Sequence, residues 1–163
     1  ISPNQKWATD ITEFNVLGKK LYLSPIIDLF NGEIISYELS ERANFDQIIA
    51  MLKKSFKRIT NQTNLILHSD QGWQYQMKQY QTILKDKGII QSMSRKGNCL
   101  DNAIIENFFG ILKSELFYLK QYKSITQLKH EIKEYIIYYN NDRIKQNLKG
   151  MSPIQYRAHY YQN

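Results

Sequence analysis

The sequence predicts an α/β domain built on a five-stranded mixed sheet, with three antiparallel strands first and two parallel crossover strands after them. Three observations carry this expectation. The first forty residues read as strands punctuated by turn residues; apolar residues recur at helical spacing from Asn44 onward; and two short apolar runs, Leu65–Leu67 and Ile89–Met93, alternate with the helical stretches. The order βββαβαβααα is that of a hairpin-built sheet extended by strands that cross over through helices. A length of 163 residues suits one compact domain.

The first strand is expected over Lys6–Phe14, the second over Lys20–Phe30 and the third over Glu33–Leu39. Asn31-Gly32 between the last two is a strong signal for a two-residue type I′ hairpin, which needs positive φ at both central residues. Pro25 removes a ladder donor, so the second strand should lie at an edge or be bulged near Pro25. Asn44 then opens a helix that buries Phe45, Ile48, Ile49, Leu52 and Phe56, with Gln47 as capping-box partner. Leu65-Ile66-Leu67 forms a strand that ends at His68-Ser69-Asp70. A helix from about Tyr75 to Lys87 is stopped by Gly88, and Ile89–Met93 is the fifth strand. A long helix from about Asp101 to Leu119 carries the stripe Ile105, Phe109, Leu112, Leu116 and Leu119. Ser124 with Gln127 starts the next helix, which buries Ile125, Leu128, Ile132, Ile136 and Tyr139. Ser152-Pro153 with Gln155 starts the last.

Composition narrows the function. There are 22 Lys+Arg against 15 Asp+Glu, a formal charge of +7, which points to a polyanionic partner. Thirteen of the cations and only seven of the acids lie from Lys85 onward, so most of the surplus is C-terminal. Eight of the twelve tyrosines fall between Tyr118 and Tyr161, more as packing residues than as base-stacking platforms. A single Cys99 excludes an intrachain disulfide and a Cys-rich zinc site, and fits a reducing compartment. No apolar run approaches a membrane span, and the start Ile1-Ser2-Pro3-Asn4 has neither an initiator Met nor a leader, so a fragment of a longer protein is expected.

Three carboxylates lack an obvious local role. Asp10 lies within the first strand, where Asp is disfavoured and a half-buried lone carboxylate is costly; a solvent-facing Asp on an edge strand is the alternative. Asp70 ends an apolar strand before Gln71-Gly72, and an ordinary turn residue would look the same. Glu106 has neither a capping-box partner nor an intrahelical cation, and shares its helix face with Asn102, Gly110 and Lys113. Such a face lets a phosphate backbone approach, although a merely exposed face is similar. Together, convergent carboxylates suit one or two Mg²⁺ ions, hard cations that take oxygen ligands and serve phosphoryl transfer.

These residues resemble a family. Trp7-x-x-Asp10-Ile11-Thr12, His68-Ser69-Asp70-Gln71-Gly72-x-Gln74-Tyr75 and Gly97-Asn98-x-x-Asp101-Asn102-Ala103-x-x-Glu106-x-Phe108 resemble the DDE signatures of insertion-sequence transposases. Asp70 and Glu106 are separated by 35 residues, the interval shared with retroviral integrases. The ending Tyr139-Asn140-x-x-Arg143, Leu148 and Ser152-Pro153-x-x-Tyr156 is also similar. The nearest resemblance is to the bacterial insertion-sequence-three group. It implies an RNase H-like fold over residues 1–163, with the helices of about 124–163 packing on the core. The upstream DNA-binding region usual in relatives is expected to be absent.

The same resemblance implies metal-dependent DNA strand cleavage and strand transfer, with Asp10, Asp70 and Glu106 as catalytic residues and ligands of Mg²⁺, or of Mn²⁺ as substitute. The implied partners are transposon ends and target DNA, with a homo-multimer in the active complex, no membrane, and a cytoplasmic, nucleoid-associated location. An RNase H-like nuclease and an inactive DNA-binding derivative are the rival readings. Lys113, Arg95, Lys96 and Asn102 are the candidate DNA contacts. Against these stand a solvated Lys113 and commonplace loop cations, while Asn98, Asp101 and Asn102 suit helix capping, Asp101 being a weaker metal candidate. His68 and Asp28 are expected to be structural, and Cys99 a free thiol.

Overall fold

The computed structural model describes residues 2–60, 64–94 and 102–163. Strands β1 (Lys6–Thr9), β2 (Thr12–Val16), β3 (Lys19–Asp28), β4 (Ile34–Ser40), β5 (Ile66–Ser69) and β6 (Ile90–Met93) form one sheet. β1 and β2 lie end to end along one edge of β3, with Trp7 opposite Asp28 and Val16 opposite Lys19, while β4 pairs the other edge. β5 joins β1 in parallel and β6 joins β5 in parallel. The sheet thus has five strand positions, the first of them interrupted. The helices are α1 (Phe45–Phe56), α2 (Trp73–Gln76), α3 (Lys78–Asp86), α4 (Ala103–Glu115), α5 (Ile125–Asn141) and α6 (Pro153–Gln162).

The interruption has a local cause. Thr9 faces Ile26 and Thr12 faces Leu23, so Asp10 stands opposite Pro25. The Lys6 carbonyl accepts from the Leu29 amide at 3.0 Å, and antiparallel alternation makes Asp10 and Pro25 a hydrogen-bonded pair two steps along. Pro25 has no amide hydrogen to give. The ladder therefore opens at Asp10 and Ile11. β3 is not an edge strand, as one reading of Pro25 required; the other reading holds, since the pairing with β4 shifts register between Ile26 and Ile27.

The turns differ from expectation in an instructive way. Leu17 (φ 54°) and Gly18 (φ 79°) both have positive φ and make the two-residue hairpin turn between β2 and β3. Asn31-Gly32 instead belongs to a longer loop. Only Gly32 has positive φ (76°); Asn31 is buried and donates to the Pro153 carbonyl at 2.8 Å. Its side chain is committed to a tertiary contact, and a tight turn would not deliver it there.

Apolar residues fill both sheet faces. Trp7, Ile26, Met51, Leu67 and Tyr80 pack between the sheet and α1 and α3. On the other face Ala8, Phe14, Phe108, Leu112, Ile132 and Tyr139 pack between the sheet and α4 and α5. Ile125, Leu128, Ile132, Ile136 and Tyr139 are buried as expected. The α4 stripe departs from expectation: Phe108 joins the core, the helix stops at Glu115, and Leu119 lies exposed in a 3₁₀ turn. The helix expected from Tyr75 breaks at Met77, whose ψ of 135° is extended, and ends as expected at Gly88, with the Ile89 amide bonding the Leu84 carbonyl at 2.9 Å. Ser152 and Gln155 form a reciprocal capping box. Gln47 does not complete one with Asn44; its amide bridges the Tyr22 and Glu38 carbonyls across β3 and β4.

A buried ionic cluster fastens α6 to the sheet. Arg157 bonds Asp28 at 2.6 Å and Glu33 at 2.7 Å, and Arg58 bonds the second Glu33 oxygen at 2.6 Å. Asp28 also accepts from the Asn4 and Phe30 amides, so its role is structural. Among the described residues no helix is long and apolar enough to cross a membrane.

Candidate active site

β1 and β5 are parallel neighbours in the register Ala8 to His68, and two steps further along Asp10 stands level with Asp70. Side chains alternate along β1 and β2: Trp7 and Ile11 pack toward α1, whereas Ala8, Phe14 and Val16 pack toward α4 and α5. Asp10 shares the parity of Ala8 and faces α4. Glu106 projects from the first turn of that helix. The fold therefore brings together three residues separated by up to 96 positions.

The carboxylates differ in setting. Asp10 is half-buried, and its Oδ1 accepts from the Ile11 amide at 2.8 Å. Burial pushes its carboxyl from 3.8 up to about 6; the Ile11 amide opposes this, and the negative charges of Asp70 and Glu106 add to it. Asp70 Oδ1 accepts from the Gly72 amide at 2.8 Å. A Cβ on Gly72 would meet that oxygen at 3.0 Å and the Gln74 amide at 3.0 Å, so a side chain there would press on both. Glu106 is exposed and lines an open groove of about 610 Å³ with Ala103, Asn107, Gly110, Ile111 and Ser114. Beyond Gly110 there is open space where a side chain would stand.

Beneath the carboxylates lies a residue that the sequence did not single out for chemistry. Tyr75 is fully buried, packs edge-on against Tyr80 at 5.4 Å, and its hydroxyl is pushed upward by burial, with Asp10 adding to the shift. His68 is buried with Nδ1 2.8 Å from Ser92 Oγ, a structural role as expected. The signal for Tyr75 was its place five residues after Asp70, which becomes meaningful only once β1 lies beside β5.

The candidate DNA contacts are placed as follows. Lys113 lies two turns beyond Glu106, donates to the Glu13 carbonyl at 3.1 Å and stands 5.1 Å from the Phe14 ring centre, so it reaches toward β2. Asn102 is buried and its amide lies 3.4 Å from Ser94 Oγ. Arg95, Lys96, Asn98, Cys99 and Asp101 lie outside the described residues. Among the described residues, no three His, Cys, Asp or Glu side chains converge tightly enough to enclose an ion as they lie. The donor set itself is hard oxygen throughout, which suits a cation of the Mg²⁺ kind.

The integrase core domain family matches residues 2–99 and, in a second form, residues 106–160. The chain is 59% identical over 159 residues to InsK of insertion sequence element IS150 from Escherichia coli, covering 98% of this chain and 56% of that protein. It is 57% identical over 156 residues to an uncharacterized transposase-like protein of Haemophilus influenzae, covering 96% and 72%. Among solved structures, the HTLV-2 integrase catalytic core domain in complex with magnesium superposes with a TM-score of 0.75 at 18% identity, covering 96% of this chain and 98% of that one. That likeness establishes the RNase H-like fold. The chain belongs to the integrase core domain family, alongside the transposases of bacterial insertion sequences.

Proposed function

We propose that the chain is the catalytic core of a transposase, which cuts a DNA strand hydrolytically and joins the freed 3′ end to a second phosphodiester. The observation that carries this reading is the level placement of Asp10 and Asp70 on adjacent parallel strands, with Glu106 facing them from α4. The family relationship supports the same activity, and the magnesium named for the HTLV-2 core supports the choice of cation. Asp10, Asp70 and Glu106 would hold one or two Mg²⁺ ions, with Mn²⁺ as substitute. When bound, such ions activate the attacking oxygen and stabilise the leaving one.

The chain's own residues supply the rest. The Ile11 and Gly72 amides hold one oxygen each of Asp10 and Asp70. Glu106 would complete the set by bringing its exposed carboxylate toward Asp10 and Asp70. The bare surface at Gly110 lets a phosphate backbone lie along α4, and Lys113 offers a charge two turns on. The trimeric and dimeric forms named for the integrase cores support multimers on DNA, and the bacterial relatives support a cytoplasmic, nucleoid-associated setting. The test supplies a duplex with a pre-cut 3′ end and a target duplex, with Mg²⁺. Joined products support a transferase; hydrolysis without joining assigns a nuclease of the same fold.

A further inference from the structure

The sheet extends well past the carboxylates. From Asp10, β2 runs six residues further to Val16 before it turns at Leu17-Gly18, a reach of about 20 Å at strand rise. Helix α4 runs the same way: Glu106 faces Asp10, Lys113 reaches Glu13, and Phe117 packs edge-on against Phe14 at 5.0 Å. The hairpin tip and the segment after α4 therefore meet, and they enclose a shallow groove of about 460 Å³ lined by Asn15, Leu17, Tyr118, Lys120 and Tyr122 among others.

Two features of this tip lack a structural explanation. Leu17 occupies a left-handed turn position that disfavours a branched side chain, yet it buries nothing, being 79% exposed. Tyr118 and Leu119 beside it are 69% and 74% exposed. The rim of this apolar tip is cationic. Lys19, Lys20, Lys120 and Lys123 lie on the hairpin and this segment, and among the described residues only Lys20 and Lys120 of these pair with acids, Glu13 and Glu131. Apolar side chains set among lysines suit a nucleic-acid groove, where cations hold the phosphates and an apolar wedge meets the bases.

We infer that the β2–β3 hairpin tip and the Phe117–Lys123 segment form a second contact for duplex DNA, gripping it away from the reacting phosphodiester. This rests on the proposed activity and adds to it a site that the three carboxylates do not require. At the rise of B-DNA, 20 Å corresponds to about six base pairs, so the contact serves only a duplex that extends at least that far.

The experiment measures binding of the chain to two fluorescent duplexes carrying about four and about sixteen base pairs beyond the reacting phosphodiester, across a salt series. The wild-type chain should favour the longer duplex. Lys19→Ser combined with Lys123→Ser should weaken the longer duplex by roughly tenfold and flatten its salt slope by about 2, while leaving the shorter duplex and its cutting rate unchanged. Leu17→Asn suits the left-handed turn and keeps the hairpin folded; it should weaken the longer duplex by about threefold. Equal losses on both duplexes, no loss on either, or a change confined to self-association would overturn the inference. A wild-type chain that cuts and joins DNA but binds both duplexes equally removes this contact and leaves the activity standing. One that neither binds nor cuts DNA removes the activity, and this contact with it.

Discussion

Asp10 stands opposite Pro25, at the one step of the β1–β3 ladder where the partner strand has no amide hydrogen to donate. A proline inside a sheet costs a ladder bond, and here that loss falls on the residue at the centre of the candidate site. The Asp10 carbonyl goes without that donor, and the adjoining Ile11 amide bonds the Asp10 carboxylate at 2.8 Å, which orients the side chain. Pro25 also accepts a bond from Thr9 Oγ1 at 2.8 Å, which keeps the strands together across the gap.

Restoring the donor tests this arrangement. Pro25→Val should add a ladder bond worth about 1 kcal/mol and give back a similar amount of unfolded-chain entropy, leaving the melting temperature nearly unchanged. Metal-dependent DNA cutting should fall several-fold as the restored bond to the Asp10 carbonyl draws the strand into the ladder. Equal cutting by the two proteins, with equal stability, would deny Pro25 a part in the site.

The raised Asp10 carboxyl makes stability depend on pH. The folded state holds this proton up to about pH 6, whereas the unfolded chain releases it near 3.8, so stability falls as pH rises between these values and the penalty is complete above them. Asp10→Asn should therefore stabilise the metal-free chain at pH 7.5 by on the order of 1–3 kcal/mol, with the advantage vanishing below pH 4. Mg²⁺ should raise the melting temperature of the wild type and not of the variant. Urea titrations at the two pH values, with and without Mg²⁺, measure both effects.

Arg143 grips Glu115 at the far end of α4 through Nε at 2.9 Å and a terminal nitrogen at 2.6 Å, and Tyr135 donates to the same carboxylate at 2.8 Å. The Arg143 bonds hold the Glu115 carboxyl below its usual value, so this support is present above the unfolded value near 4.5 and is lost as pH falls. The pair is partly exposed, so Arg143→Ala should cost only about 1 kcal/mol at pH 7, and less at pH 3.5. Arg143→Lys should not restore it, because lysine cannot make the two parallel bonds. Denaturation midpoints of the three proteins provide the check.

Arg157 is a stronger case. Removing it leaves Asp28, fully buried, and Glu33, nearly so, with much of their compensation gone. Arg157→Ala should destabilise the chain by about 3–5 kcal/mol and release α6 from the sheet. Hydrogen exchange of the α6 amides, compared with those of α4, would locate the effect.

The sequence disclosed most where physics is local. Strand-ending acids, the capping Ser152 with Gln155, the Gly88 stop and the helical stripe of α5 were all readable from spacing and residue type. Leu17-Gly18 was not, because a leucine in a left-handed turn contradicts the signal that marks such turns. Asn31-Gly32 carried that signal without making the turn, since Asn31 is held by Pro153, more than a hundred residues away. The break at Met77 and the exposure of Leu119 likewise follow from packing that no local pattern specifies. Pro25 was visible as an anomaly, but its meaning depended on the register that sets it against Asp10. Tyr75 acquired meaning only when two distant strands became neighbours.

The central claim is that Asp10, Asp70 and Glu106 act together on a phosphodiester, and Glu106→Gln tests it most directly, because that side chain is exposed and the change keeps its shape. Nicking of duplex DNA in Mn²⁺ should be lost in Glu106→Gln while DNA binding is retained. Undiminished nicking by that protein would contradict the account.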